Sequence, residues 1–283
     1  MNSRRKAYDF ILNLLMDLAA GIIAALLVGI IGYIIYRGAD KISLSFLSTK
    51  PSFIRASIGI LPNILNTVYI IVMTLILVSP LGVGSAIYLN EYATGKKTVR
   101  AIELATETLS GIPSIIYGLV GMLVFVQFFS LGTSLLAGAL TLVIMTLPTV
   151  IRTTQESLKT VPQGYREGAF ALGAGKWYTI RTVVLPTAID GIITGCILSV
   201  GRIVGESAAL LFTAGMANEI LGITQAVRPG NAGSTLTVAL YMYAKERGEF
   251  DVAFAIAAIL LGLTLAINIL AKIAAKKLKQ KRG

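Results

Sequence analysis

The chain has 283 residues, of which 55% are hydrophobic and only 14% charged, with a mean hydropathy of +0.78; no soluble core hides that much apolar side chain, so soluble globular and disordered classes are excluded. With no histidine and one cysteine, Cys196, it lacks the pair for an internal disulfide and the donors of a His/Cys zinc site, a c-type haem attachment or a histidine proton relay. The net charge of +11 raises nucleic acid as a partner, and its distribution argues against one, because Lys and Arg fall in short blocks between apolar runs rather than on one face among aromatics.

A hydrocarbon core about 30 Å thick needs roughly 20 apolar residues in helix, and six such runs occur. The first, Leu14 to Tyr36, follows Arg4, Arg5 and Lys6 as a signal peptide would, but it is too long for one and no A-x-A-like site follows, so a retained helix is expected. The second is Ile64 to Leu89. The third, Gly111 to Phe129, and the fourth, Ser134 to Ile151, contain Pro113 and Pro148; these prolines, with Pro80 in the second, are expected to kink their helices. The fifth is Ala188 to Phe212 and the sixth Val252 to Ile273. The predicted fold is an all-α polytopic membrane protein of six transmembrane helices. Residues 1–61 hold the first helix and an external loop, and residues 62–283 a core of five helices.

Cytoplasmic segments are enriched in Lys and Arg. One set of alternate segments collects Arg4, Arg5 and Lys6, then Lys96, Lys97 and Arg100, then Arg152, Lys159, Arg166, Lys176 and Arg181, then a basic tail from Lys272. The other has only Arg37, Lys41, Lys50, Arg55, Arg228, Lys245 and Arg247. Both termini are therefore expected on the cytoplasmic side. In the last outer loop, Leu236 to Tyr243 is apolar enough for a short helix lying on or dipping into the membrane. Asp17, Glu103, Glu107 and Asp190 fall near inner ends of spans, where a helix terminus or snorkelling satisfies a carboxylate. Trp177 and the scattered tyrosines read as interface anchors.

The longest inner segment, Arg152 to Thr187, follows the fourth span. Thr160 can cap a helix there, Pro162 suits its first turn and Gly173 can stop it. A second short helix is expected from Gly175 to Val184, before Leu185-Pro186 opens the fifth span. The residues alone leave two readings open, a docking helix with room for close approach at Gly164 and Gly168, or a bare connection. No G-x4-G-K-[ST] phosphate cradle occurs; Gly173-Ala174-Gly175-Lys176 lacks its spacing and hydroxyl. Nor is there a dinucleotide fingerprint or a nucleophile elbow, so no catalytic residue, metal ligand or cofactor is assigned.

Arg202 is the one Lys or Arg deep inside a span, Lys272 falling at the end of the sixth. Counted from Ala188 at about 1.5 Å per residue, it lies about 21 Å in, where an arginine costs about 2.5–3.5 kcal/mol and needs protein or water around it. Glu206 is one turn on. Either the two form an i,i+4 ion pair that fixes the span's rotation, or Arg202 lines a translocation route and offers its guanidinium fork to an oxyanion, with Glu206 holding the fork when the route is empty. Gly191, Gly195, Gly201 and Gly205 make two small-xxx-small pairs on this span, suited to close approach by another helix and hence to a partner subunit.

Glu167-Gly168-Ala169, then Gly173, then Val183-x-Leu185-Pro186 resembles the EAA-x3-G-x9-I-x-LP loop of ABC importer permeases of the binding-protein-dependent, MetI-like type. It departs only in Gly168 for alanine and Val183 for isoleucine. Ser110-Gly111-Ile112-Pro113-Ser114-Ile115-Ile116-Tyr117-Gly118-Leu119 and the stretch Gly201 to Gly215, including Gly205-Glu206-Ser207-Ala208-Ala209, resemble the membrane subunits of phosphate importers, more the PstA type than PstC. The resemblance covers roughly Pro62 to the C-terminus. It implies a coupling helix within about 152–187 whose Glu167, Gly168, Ala169, Gly173, Leu185 and Pro186 serve docking to an ATPase. It further implies a permease without ATP chemistry of its own, working in a prokaryotic cytoplasmic membrane with a PstC-like second permease, two ATP-binding subunits at the cytoplasmic face and an external phosphate-binding protein. A permease for another oxyanion, or an ion-coupled secondary transporter using Glu206 and Asp190 as proton carriers, are the competing expectations.

Overall fold

The computed structural model describes residues 3–51 and 58–280; Arg55 and the last tail cations, Lys281 and Arg282, lie outside them. Among the described residues every regular element is helical. Helix α1 (Ser3–Gly38) is followed by the short α2 (Leu44–Ser48) and then by α3 (Leu61–Ile87), whose end relaxes into a π-helical turn, Tyr88–Tyr92. Next come α4 (Lys96–Ser110) and α5 (Ser114–Gly121), the latter continued by the π segment Met122–Phe128. Helix α6 (Leu135–Lys159) leads through α7 (Gln163–Ala171) to α8 (Lys176–Thr179), which runs by a π turn, Ile180–Val184, into α9 (Leu185–Gly205). The short α10 (Ala208–Thr213), α11 (Ile223–Ala226) and α12 (Leu236–Tyr241) precede the last helix, α13 (Phe250–Gln280).

Five continuous helices are long and apolar enough to cross a membrane, and the α4–α5 pair, bent by 100°, makes a sixth if it is one broken span. The expected third span is thus corrected. Lys96 to Ser110, which the expected third span leaves out, is an amphipathic helix with no buried residue, and the chain turns sharply at Gly111-Ile112-Pro113. Proline supplies no N–H to the preceding turn and holds the residue before it out of helix, which places the break there. Pro80 and Pro148, by contrast, lie inside continuous helices.

The core is the stack of α3, α6 and α9. Ile70, Ile71, Leu142, Met145, Val200, Ile203 and Leu210 form its centre, and Ala86, Ile151, Leu158, Ile180, Val184 and Ala188 close it at the α7 end. At the opposite end Ile60, Leu236, Ala239, Val252 and Ile256 pack together, so α12, the short helix expected from Leu236 to Tyr243, is buried against α3 and α13. Outside this stack α1 touches chiefly α13, through an Arg37–Asp251 ion pair at 3.2 Å and an edge-on Tyr33–Phe254 contact. Its apolar window is otherwise wholly exposed, the surface a helix presents to lipid, where backbone groups are satisfied internally.

The fifth span also differs at both ends. Leu185-Pro186 does not open it; the helix is continuous from Lys176, with the proline within a helix that already started. Nor does it reach Phe212, because α9 stops at Gly205, and Glu206, with φ −82° and ψ 121°, is extended. The first glycine pair on this helix packs within the chain: a side chain at Gly191 would strike Ser157, and one at Gly195 Thr153, both on α6. Gly201 and Gly205 face open space.

Candidate functional site

Helix α7 lies between the long helices α6 and α9, with most of its residues exposed. Thr160 does not cap it. Its hydroxyl donates to the Ser157 carbonyl at 2.8 Å, finishing α6, and Pro162 is the residue at which α7 begins. The far end is a Schellman stop, in which the Ala174 N–H donates to the Ala169 carbonyl at 3.0 Å and the Gly173 N–H to that of Phe170 at 2.9 Å. This requires the left-handed φ of +81° at Gly173, which glycine adopts without steric cost. Glu167 and Gly168 are exposed and Ala169 is half-buried. Around them Tyr165, Phe170 and Leu172 are also exposed, Leu172 to 90%, so the face carrying the EAA-like residues is available to another protein. Leu185 and Pro186 are half-buried where the π turn passes into α9.

The one buried residue of α7 is Arg166. Its Nη2 lies 2.7 Å from Glu91 Oε1, with the two side chains 10% and 9% exposed. Nε donates to the same oxygen at 3.3 Å, Nη1 to the Val161 carbonyl at 2.9 Å and Nη2 to the Leu158 carbonyl at 3.0 Å. Asn90 Nδ2 donates to Glu91 as well. Truncating one member of so buried a pair strands the other charge, at a cost of about 3–5 kcal/mol. A cavity of about 780 Å³ opens beside the pair, bordered by Lys159, Phe170 and Lys176. Sequence reading missed this arrangement. It counted Arg166 only as a loop cation and passed over Glu91, although a carboxylate among the cations at that end of the second span was a usable signal.

Arg202 and Glu206 do not form the expected ion pair. With the helix broken between them, Arg202 occupies the last turn of α9, while the Glu206 carboxylate turns to the next element and accepts the Ala209 N–H at 3.0 Å, at the start of α10. Each charge thus meets the helix end that favours it, a cation at the carbonyl end and an anion at the amide end. The break is held by Thr237, whose hydroxyl donates to the Glu206 carbonyl at 2.8 Å. Glu206 is buried and Arg202 half-buried, and among the described residues Arg202 is in no ion pair.

The Tyr117 hydroxyl donates to the Leu109 carbonyl at 2.6 Å, bracing the α4–α5 bend. The two stretches around Tyr117 and Glu206 come together at Gly118, where a Cβ would sit 2.8 Å from Ala209 Cα and 3.2 Å from the Ala208 carbonyl. On the α7 side of the bend, adjoining cavities of about 240 and 280 Å³ share Thr106, Glu107, Arg152 and Glu156. A smaller one, about 150 Å³ and almost wholly apolar, is lined by Ile112, Tyr117 and Thr141.

A helical membrane bundle that holds out an exposed helix between two of its spans, and keeps an arginine beside a broken helix, has the build of a transport subunit. Residues 79–280 match the family described as the binding-protein-dependent transport system inner membrane component, and the chain belongs to that family; it is an ABC importer permease subunit. It is 42% identical over 221 residues to the probable ABC transporter permease protein YqgI of Bacillus subtilis, covering 78% of this chain and 75% of that one. It is 41% identical over 160 residues to the phosphate transport system permease protein PstA 2 of Mycobacterium bovis, covering 56% and 53%. Among solved structures, a bacterial alginate ABC transporter aligns over 97% of both chains with a TM-score of 0.69 at 14% identity. The MetNI methionine transporter in inward-facing form aligns over 80% of this chain and 94% of its own with a TM-score of 0.55 at 17% identity. At those identities the likeness is one of fold.

Proposed function

We propose that the chain is the PstA-like half of a phosphate importer, paired with a PstC-like permease, fed by an external phosphate-binding protein and driven by two ATP-binding subunits that dock on α7. The observation that carries the phosphate assignment is Arg202, half-buried in the last turn of α9 with its expected partner Glu206 engaged elsewhere. A guanidinium fork released from a carboxylate suits the paired oxygens of an oxyanion, which it binds bidentately, and the PstA-named relative supports the same cargo. The cavities beside Arg152 and Glu107 then form the inner end of the route, with the Tyr117-braced bend between them and Arg202. Closure of the ATPase pair moves α7 and rocks the bundle, so that Arg202 faces outward and inward in turn. Both termini face the cytoplasm of a prokaryotic cell, and residues 1–61 form an addition to the permease core of 62–283.

Extraction in mild detergent and mass spectrometry of the companions tests the assembly, with an ATP-binding protein and a second permease expected. In proteoliposomes holding that assembly and its binding protein, ATP drives uptake of inorganic phosphate, and Arg202→Gln reduces it by roughly tenfold or more, the scale of a lost bidentate charged contact. Uptake of sulfate or molybdate in place of phosphate would reassign the cargo. Uptake driven by a proton gradient without ATP would contradict the proposal.

A further inference from the structure

A docking helix transmits work only if it is fastened to the helices it must move, and α7 has few fastenings. Nothing lies within 4 Å of a side chain built at Gly164 or Gly168, its aromatic and leucine side chains point to solvent, and Arg166 is its one buried residue. From Arg166 three directions of hydrogen bonding leave α7. Nε and Nη2 reach Glu91 in the π turn that ends α3, Nη2 also reaches Leu158 in the last turn of α6, and Nη1 reaches Val161 in the turn between α6 and α7. A planar fork with several fixed donors can hold these acceptors at once, whereas a lysine ammonium on a flexible stem cannot. The two helices it joins, α3 and α6, are the packed centre of the bundle, and α6 also carries the Ser157 and Thr153 surfaces on which α9, the helix of Arg202, rests.

We propose that Arg166, clamped by Glu91, is the positioning residue that makes α7 and the adjoining ends of α3 and α6 one rigid body, so that displacement of α7 by the ATPase reaches the Arg202 helix. The inference rests on α7 being the ATPase-docking element. Glu91 is the better handle for a test, since it lies outside α7 and its neutralisation leaves the docking face intact.

In the whole assembly, with Cys196→Ser as background, spin labels at Tyr88→Cys and Gly164→Cys report the spacing between the end of α3 and α7 with and without a non-hydrolysable ATP analogue. The spacing stays fixed on nucleotide binding in the parent and shifts in Glu91→Gln. In the same samples phosphate taken up per ATP hydrolysed falls roughly tenfold in Glu91→Gln, within the usual range of a coupling between sites, while the ATPase subunit still co-purifies. Glu91→Leu/Arg166→Met removes both charges and keeps bulk; a clamp predicts that it stays uncoupled. A double variant that regains the parent's coupling ratio, or a Glu91→Gln assembly whose label spacing and ratio match the parent, would overturn the proposal. A parent assembly in which no ATPase binds would instead defeat the docking reading, and the clamp with it.

Discussion

The two charges separated by one turn in sequence, Arg202 and Glu206, illustrate how far single residues were legible. Their presence in a span marked a site, and the backbone break that parts them was hidden because nothing at Glu206 forbids helix; Thr237, 31 residues away, supplies the bond that holds the carbonyl out. Gly118 is a comparable case. It reads as an unremarkable small residue in an apolar stretch, and its requirement appears only when α10 arrives against it. Gly118→Val places branched carbons against the Ala209 backbone, which has no rotamer to yield. Overpacking of that kind costs about 1–3 kcal/mol, so the variant should melt at a lower temperature in detergent than the parent. Gly201→Ala, facing open space, should melt within a degree or so of it. Equal melting of Gly118→Val and the parent would show that the α5–α10 contact is not held as described.

Among the elements, α7 was the most readable and α4 the least. The run from Pro162 to Gly173 carries both a start and a stop signal within itself, and the helix appears as Gln163–Ala171. The basic N-terminal residues of α4, in contrast, mask a helix whose apolar residues do recur at helical spacing; it lies beside α6, with Glu103 4.0 Å from Lys159. Four π turns, at the ends of α3, α5 and α12 and before α9, carried no local signal. For α7 itself, Glu167→Arg or Gly168→Trp alters only the exposed face. Either should leave the chain inserted and the Glu91–Arg166 clamp made, while uptake falls and ATP hydrolysis by the assembly continues. Unchanged uptake in both variants would argue that the ATPase grips another surface. Gly173→Val forces a branched side chain toward positive φ at about 1–2 kcal/mol, and faster limited proteolysis between Arg166 and Lys176 is the expected sign.

Across the molecule, apolar run length located five spans, the fifth of them displaced at both ends, and the sixth only as a bent pair, since length and hydropathy do not record a 100° turn. The partition of Lys and Arg makes a topological prediction. In a Cys196→Ser background, single cysteines at Gly164 and Lys276 should be shielded from a membrane-impermeant maleimide in intact cells, and one at Arg228 should react. Labelling of all three would reject the arrangement.

In the proposed assembly the work of transport is delivered from outside the chain. The most direct measurement is solute accumulation by sealed proteoliposomes, ATP being present on the α7 side, with this polypeptide alone and with its co-purified ATP-binding subunits, second permease and binding protein. Accumulation against a gradient only in the complete assembly, and its loss with Glu167→Arg, is the predicted result. Uphill accumulation by the polypeptide alone would contradict it.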